Sequence, residues 1–161
     1  MEIEMRLKGL MIDPITNMPI VVLRDPEGGK ILPIWVGVFE ANAIVLQMEN
    51  VQTPRPMTHD LLKSLLEGLE AHVERIVVCD LRDNTFYASI HLASARGPVV
   101  VDARPSDAIA LALRTGSPIF VEEAVIHEAR NIENAKDAVD TSRLQKWLEG
   151  LSDEELGKYK M

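Results

Sequence analysis

The sequence predicts an α+β fold: a mixed, mainly antiparallel β-sheet or partial barrel with three core helices and a C-terminal helical tail. Strand-like and helix-like segments follow in the order three strands, two helices, three strands, one helix and one strand, without strict βαβ alternation. The hydrophobic period changes between the strand and helix values along the chain, and turn residues separate the strands. We assign residues 1–130 to the domain and residues 131–161 to the tail.

The first third of the chain predicts strands. Ile3, Met5 and Leu7 alternate with charged residues, which is the period of a half-buried strand. The segments "IVVLRD" and "ILPIWVG" flank the turn "DPEGGK", so we expect them to form a hairpin. Pro33 lies inside the second of these strands and predicts that this strand either is at an edge of the sheet or starts late.

Two helices are predicted after these strands. Residues 38–50 are apolar almost all round, which indicates a buried helix with Glu40 in its first turn. Thr58 is the expected N-cap of the second helix. That helix carries five leucines on one face, which we expect to pack on the core: Leu61, Leu62, Leu65, Leu66 and Leu69.

The second half of the domain predicts more strands and a third helix. The strands "RIVVCDL" and "TFYASIHLAS" flank the turn "RDN", and "GPVVVDA" and "SPIFVEE" lie on either side of the helix. Arg104 is the expected N-cap of this helix, Pro105 its first residue and Gly116 its end. Cys79 alternates with Val77 and Leu81, which indicates a small core residue rather than a nucleophile.

The pattern weakens after Glu123, and "SRLQKWLEGL" then predicts the tail helix. Its apolar residues lie on one face: Leu144, Trp147, Leu148 and Leu151.

Composition and charge limit the possible functions. The chain has 161 residues, a net charge of −8 and a single cysteine. No run of about 18 apolar residues is present, so we expect no membrane-spanning helix and a cytoplasmic location. Tight binding to nucleic acid depends on an excess of Lys and Arg, so the bulk charge argues against tight binding but not against brief contact with a nucleic-acid substrate.

Three polar clusters begin predicted helices and form the candidate site. They are Glu40 after "PIWVGVF", Arg55, His59 and Asp60 in "RPMTHD", and Arg104 and Asp107 in "DARPSD". Helix N-termini and arginines bind phosphate, and a histidine transfers protons near neutral pH. We therefore predict four catalytic residues, Glu40, His59, Asp60 and Asp107, and two substrate-binding residues, Arg55 and Arg104. The three carboxylates, Glu40, Asp60 and Asp107, are also candidate ligands for a divalent cation such as Mg²⁺.

The same residues have a purely structural interpretation. Thr58 and Ser106 are ordinary N-cap residues, and Asp60 and Asp107 are ordinary first-turn anions. Arg104 would then pair with a neighbouring aspartate, Asp102 or Asp107. The sequence leaves both interpretations open.

The motifs "RPMTHDLL" and "DARPSDAIALALR" closely resemble the bifunctional nuclease domain family, and the resemblance covers roughly residues 1–130. It implies an α+β fold, association into homo-oligomers, and hydrolysis of DNA and RNA phosphodiester bonds, with nucleic acid as a transient substrate. The alternative is a non-catalytic oligomeric scaffold or regulatory module that binds a small anionic ligand or a partner protein. Convergence of Glu40, His59, Asp60 and Asp107 in one cleft would favour the enzyme.

Overall fold

The computed structural model describes residues 1–27 and 29–135, which form seven strands and four helices. The strands are β1 (Glu2–Ile12), β2 (Pro19–Arg24), β3 (Ile31–Trp35), β4 (His72–Arg82), β5 (Thr85–Ser94), β6 (Gly97–Ala103) and β7 (Ile119–Glu122). The helices are α1 (Val38–Met48), α2 (Thr58–Gly68), α3 (Pro105–Thr115) and α4 (Glu123–Ala135).

One mixed sheet contains all seven strands in the order β3-β2-β1-β7-β4-β5-β6. Strands β4 and β7 run parallel, and the other neighbouring pairs are antiparallel. The sheet is open, with β3 and β6 at its edges. The predicted α+β class is confirmed, and so is the edge position of the strand that contains Pro33.

Helix α3 is the central helix, and its ends are those that the sequence predicts. Arg104 is its N-cap in extended conformation, Pro105 is its first residue, and Gly116 ends it with a left-handed φ of 67°. Residues 108–112 are buried, because α3 packs on β4 and β5 and also contacts α1 and α2. This packing brings the beginnings of three helices to one side of the molecule.

The expected core position of Cys79 is wrong, because its side chain is exposed. Val77 and Leu81 are buried as expected, but the register between β4 and β5 shifts between Val78 and Asp80. Cys79 is therefore the extra residue of a β-bulge, which changes the face to which a side chain points.

The prediction that the leucine face of α2 packs on the core is also wrong. Leu61, Leu62, Leu65 and Leu69 are 40–75% exposed, and Leu66 is the leucine of this helix that packs against the core. The helix begins at Thr58 with Met57 as its N-cap, so Thr58 does not cap it. We call the residues Leu61, Leu62, Leu65 and Leu69 the leucine surface.

Helix α4 is an element that the sequence pattern did not reveal. It follows β7 directly and buries Val125 and Ile126 against β4 and β7. It crosses residue 131, where we placed the start of the tail, and the predicted tail helix lies outside the described residues. In the part of the chain that the structure describes, no helix is long and apolar enough to cross a membrane.

Candidate functional site

A cleft of about 310 Å³ lies where the N-terminal parts of α1, α2 and α3 meet. Four of the six predicted site residues line it: Glu40, His59, Arg104 and Asp107. They come from three helices that are far apart in the sequence, so the packing of the helices creates this group.

The four side chains form one continuous chain of ion pairs and hydrogen bonds. His59 Nε2 lies 2.9 Å from Asp107 Oδ1. The other oxygen of Asp107, Oδ2, accepts a 2.8 Å hydrogen bond from Arg104 Nε and also lies 2.8 Å from Arg104 Nη2. Arg104 Nη2 also lies 2.8 Å from Glu40 Oε1. Asp107 therefore connects the histidine to the arginine, and Arg104 connects Asp107 to Glu40.

The local sequence positions the side chains that form this series of contacts. Arg104 and Asp107 are three residues apart at the start of α3, a spacing that places both side chains on the same face of the first turn. Glu40 lies in the first turn of α1, and Gly37 precedes that helix. A Cβ atom on Gly37 would collide with the Glu40 carboxylate, so glycine leaves the space in which this carboxylate lies.

The electrostatics of the cleft hold Arg104 in its charged form. Hydrogen bonds to Asp107 and then to Glu40 raise the pKa of the Arg104 guanidinium further above its already high value. The ionised Asp107 carboxylate is only an acceptor, so the bond to His59 requires the tautomer in which Nε2 carries the proton. Among the described residues, none bonds to His59 Nδ1 or to Arg104 Nη1. The Arg104 side chain is 64% exposed, so a ligand can reach its guanidinium, whereas the His59 side chain is 8% exposed.

Asp60, one residue after His59, does not join this group. Its Oδ1 accepts a 2.7 Å hydrogen bond from Arg114 Nε, and its Oδ2 accepts one from the Met57 N–H. The Met57 N–H and then the Arg114 guanidinium hold the pKa of the Asp60 carboxyl below its ordinary value. Arg114 also donates to the carbonyl oxygens of Ala110 and Ala43, so it joins α3 to α1 and α2.

Arg55 also lies apart from Arg104, in a second cleft of about 400 Å³ between the 52–56 loop and α2. This cleft is polar and is also lined by Asp60, Lys63 and Arg114. The two predicted substrate-binding arginines therefore face different clefts.

The arrangement of the carboxylates does not suit the predicted divalent cation. Glu40 and Asp107 share Arg104 between them, whereas Asp60 is held by Arg114. In residues 1–27 and 29–135, no three His, Cys, Asp or Glu side chains are grouped as metal ligands would be. We therefore assign no catalytic step to a metal ion.

Three residues of the two clefts were missed by the sequence analysis. Phe39 and Met57 line the first cleft with exposed apolar side chains, and Arg114 lies in the second with a side chain only 4% exposed. A signal was present for Arg114, because a charged residue in the last turn of a predicted buried helix needs an internal partner. No local signal distinguishes Phe39 from an ordinary core residue.

Comparison with known proteins identifies relatives along most of the chain. An uncharacterized protein of Mycobacterium tuberculosis is 39% identical over 154 residues, which are 92% of this chain and 92% of that protein. Bifunctional nuclease 1 of Arabidopsis thaliana is 31% identical over 124 residues, 73% of this chain and 38% of that protein. Bifunctional nuclease 2 of Oryza sativa subsp. japonica is 25% identical, over 82% of this chain and 42% of that protein. The chain thus spans less than half the length of these plant relatives.

The family model of the bifunctional nuclease domain matches residues 21–134. The match includes α1, α2 and α3, and with them the four predicted site residues that line the first cleft. The protein belongs to the bifunctional nuclease domain family.

Proposed function

We propose that the protein is a nuclease that hydrolyses phosphodiester bonds of DNA and RNA in the first cleft. The observation that carries this proposal is the 2.9 Å bond between His59 and Asp107 beside the Arg104 guanidinium. A histidine oriented by a carboxylate is a general base, and a guanidinium is a donor for phosphate oxygens. Membership of the nuclease family supports the same chemistry.

Each residue has a definite role in the proposed reaction. Asp107 holds the ring of His59 so that Nδ1 takes a proton from a water molecule. The water oxygen then bonds to phosphorus as the bond from phosphorus to the leaving ester oxygen breaks. The leaving oxygen, on the opposite side of phosphorus, takes a proton from solvent, and His59 releases its proton to solvent. Water is the nucleophile because DNA has no 2′-hydroxyl group. Arg104 Nη1 donates to a non-bridging phosphate oxygen, while Glu40 holds the other side of the guanidinium.

The test is cleavage of plasmid DNA and of RNA by the wild type, His59→Ala and His127→Ala. We expect His59→Ala to lose about 100-fold or more of the activity, the usual contribution of a general base. His127→Ala is the matched control, because His127 is exposed on α4 and lies outside the cleft. Circular dichroism and thermal unfolding show whether His59→Ala remains folded. For a folded His59→Ala protein, full activity would exclude the proposed site and indicate a contaminating nuclease.

The predicted Mg²⁺ is tested in the same assay with a chelator. We expect cleavage to persist in the presence of the chelator, because Arg104 already lies between Glu40 and Asp107. If chelation abolishes the wild-type activity and Mg²⁺ restores it, those two carboxylates must exchange Arg104 for the ion.

A second candidate function, an oligomeric scaffold, is favoured by the leucine surface. Four leucines on one face of α2 are exposed, and contiguous apolar surface of this kind usually contacts another protein. We propose that a second copy of the chain packs on this surface. Self-association is compatible with both functions, so the cleavage assay decides between them.

A further inference from the structure

We propose that the first cleft holds an unpaired nucleobase against the ring of Phe39, so that the enzyme prefers single-stranded DNA and RNA to duplex. The inference rests on the proposed nuclease function and adds its substrate class. It starts from the position of Phe39, which is 87% exposed in the first turn of α1 and lines the cleft beside Glu40.

The exposure of Phe39 needs an explanation. Burial of a phenylalanine side chain would stabilise the fold, and Phe39 forgoes nearly all of that stabilisation. Met57, from the N-terminus of α2, is a second exposed apolar side chain that lines the same cleft. The cleft of about 310 Å³ has a volume suited to a small planar ligand.

The surroundings of Phe39 favour a polar ligand over a protein partner. The cleft residues around it include Asn42, Thr58 and Arg104 in addition to Glu40. The leucine surface, in contrast, lies farther along α2, and none of its residues lines this cleft. A ligand for the first cleft must therefore combine an apolar, flat part with an anionic part.

A nucleotide in a single strand has this combination. Every base presents a π-face on which an aromatic ring stacks without regard to sequence, but a base in a duplex covers that face with its neighbours. When the base stacks on Phe39, its phosphate accepts a hydrogen bond from Arg104 Nη1, to which no described residue bonds. Stacking recognises neither the sugar nor the base edge, which suits an enzyme for both DNA and RNA.

The experiment compares Phe39→Ala, Phe39→Trp and Ile15→Ala with the wild type on a single-stranded oligonucleotide and on a duplex of the same sequence. Stacking contributes about 1–3 kcal/mol per base, so Phe39→Ala should raise KM for the single strand about 5- to 150-fold with kcat retained. The KM for the duplex should stay unchanged, and Phe39→Trp should retain the wild-type preference. Ile15→Ala is the matched control, because Ile15 is a 69% exposed apolar residue outside the cleft and outside the leucine surface.

Two results would overturn the proposal. One is an equal change of KM for the single strand and the duplex, or no change for either. The other is a lower molar mass of Phe39→Ala in light scattering, which would make Phe39 a contact between copies.

Failure of the nuclease function is recognised separately by fluorescence anisotropy with the labelled single strand. A protein that binds the strand through Phe39 but does not cleave it retains the base site and loses the proposed reaction. A protein that cleaves with wild-type KM after Phe39→Ala retains the reaction and loses the base site.

Discussion

At the scale of single residues, Arg114 and Asp60 have changed roles relative to the sequence analysis. The Arg114 side chain is 4% exposed, and its guanidinium donates to the carboxylate of Asp60 and to two backbone carbonyl oxygens. A buried charge without a partner is costly, so this aspartate stabilises the junction of three helices. Asp60 was predicted as a catalytic carboxylate, but its contacts in the structure are with Met57 and Arg114.

We therefore expect Asp60→Asn to lower the free energy of unfolding by about 2 kcal/mol. This is less than for a fully buried pair because the side chain of Asp60 is 35% exposed. Urea unfolding at neutral pH measures the change. Glu67→Gln is the matched control: Glu67 pairs with Lys63 at 3.9 Å on the exposed side of the same helix, so its loss should have little effect. Equal effects of the two substitutions would contradict the structural role of Asp60.

The pH dependence of the free energy of unfolding, measured for the wild type and for Asp60→Asn, tests the pKa of Asp60. Its pKa is lowered in the folded state, so its contribution to stability is present above the ordinary value of 3.8 and is lost as the pH falls through the folded value. The difference between wild type and Asp60→Asn should be constant near neutrality and should shrink in strongly acidic solution. A difference that grows on acidification would have the wrong sign.

At the scale of elements, α2 and α3 show how far an apolar pattern can be interpreted. Both helices have an apolar face, and α3 is buried because the sheet lies on one side of it and two helices on the other. Helix α2 packs mainly on α3, with Leu66 and His59 turned inward. Its remaining leucines face away from the core and form the surface that we propose for self-association.

We expect Leu65→Lys to shift the protein toward the monomer, because a charge in the middle of an apolar interface has to be desolvated. Light scattering during size-exclusion chromatography measures the molar mass over a range of protein concentrations. Ser64→Lys is the control, since it adds the same charge to the neighbouring, exposed position on the polar side of the helix. A monomeric wild type, or an unchanged mass for Leu65→Lys, would exclude this interface.

At the scale of the whole molecule, the net charge of −8 restricts how nucleic acid can bind. Long-range attraction is unfavourable, so affinity must come from local cations and from stacking. Arg104 in the first cleft and the exposed Arg55 in the second are the cations that we propose for phosphate contacts. The proposed nuclease should therefore bind nucleic acid weakly and briefly.

This predicts a shallow dependence of binding on salt. Two phosphate contacts with a single strand give a slope of about −1.4 in log K against log salt concentration, and Arg55→Ala should reduce its magnitude by about 0.7. Fluorescence anisotropy at several NaCl concentrations measures this slope. Arg96→Ala, in the turn between β5 and β6 and outside both clefts, should leave it unchanged. A steep slope would indicate an extended basic surface that these two arginines do not form.

The sequence by itself determined the features that depend on neighbouring residues. The ends of α3 at Pro105 and Gly116, the hairpins and the edge position of β3 follow from local backbone preferences, and the structure confirms them. The exposure of Cys79 was not predicted, because a bulge interrupts the alternation at this residue. Helix α4 was not predicted, because its apolar positions are few.

Only the tertiary structure decided which site residues meet. Successive residues of a helix point about 100° apart, so His59 faces Asp107 in the first turn of α3 while Asp60 faces Arg114 in its last turn. The sequence placed Glu40, His59, Arg104 and Asp107 near helix N-termini, but only the packing of α1 and α2 on α3 brings those termini together. The same packing leaves Phe39 and the leucine surface exposed, because an apolar pattern shows that a face is hydrophobic and not what covers it.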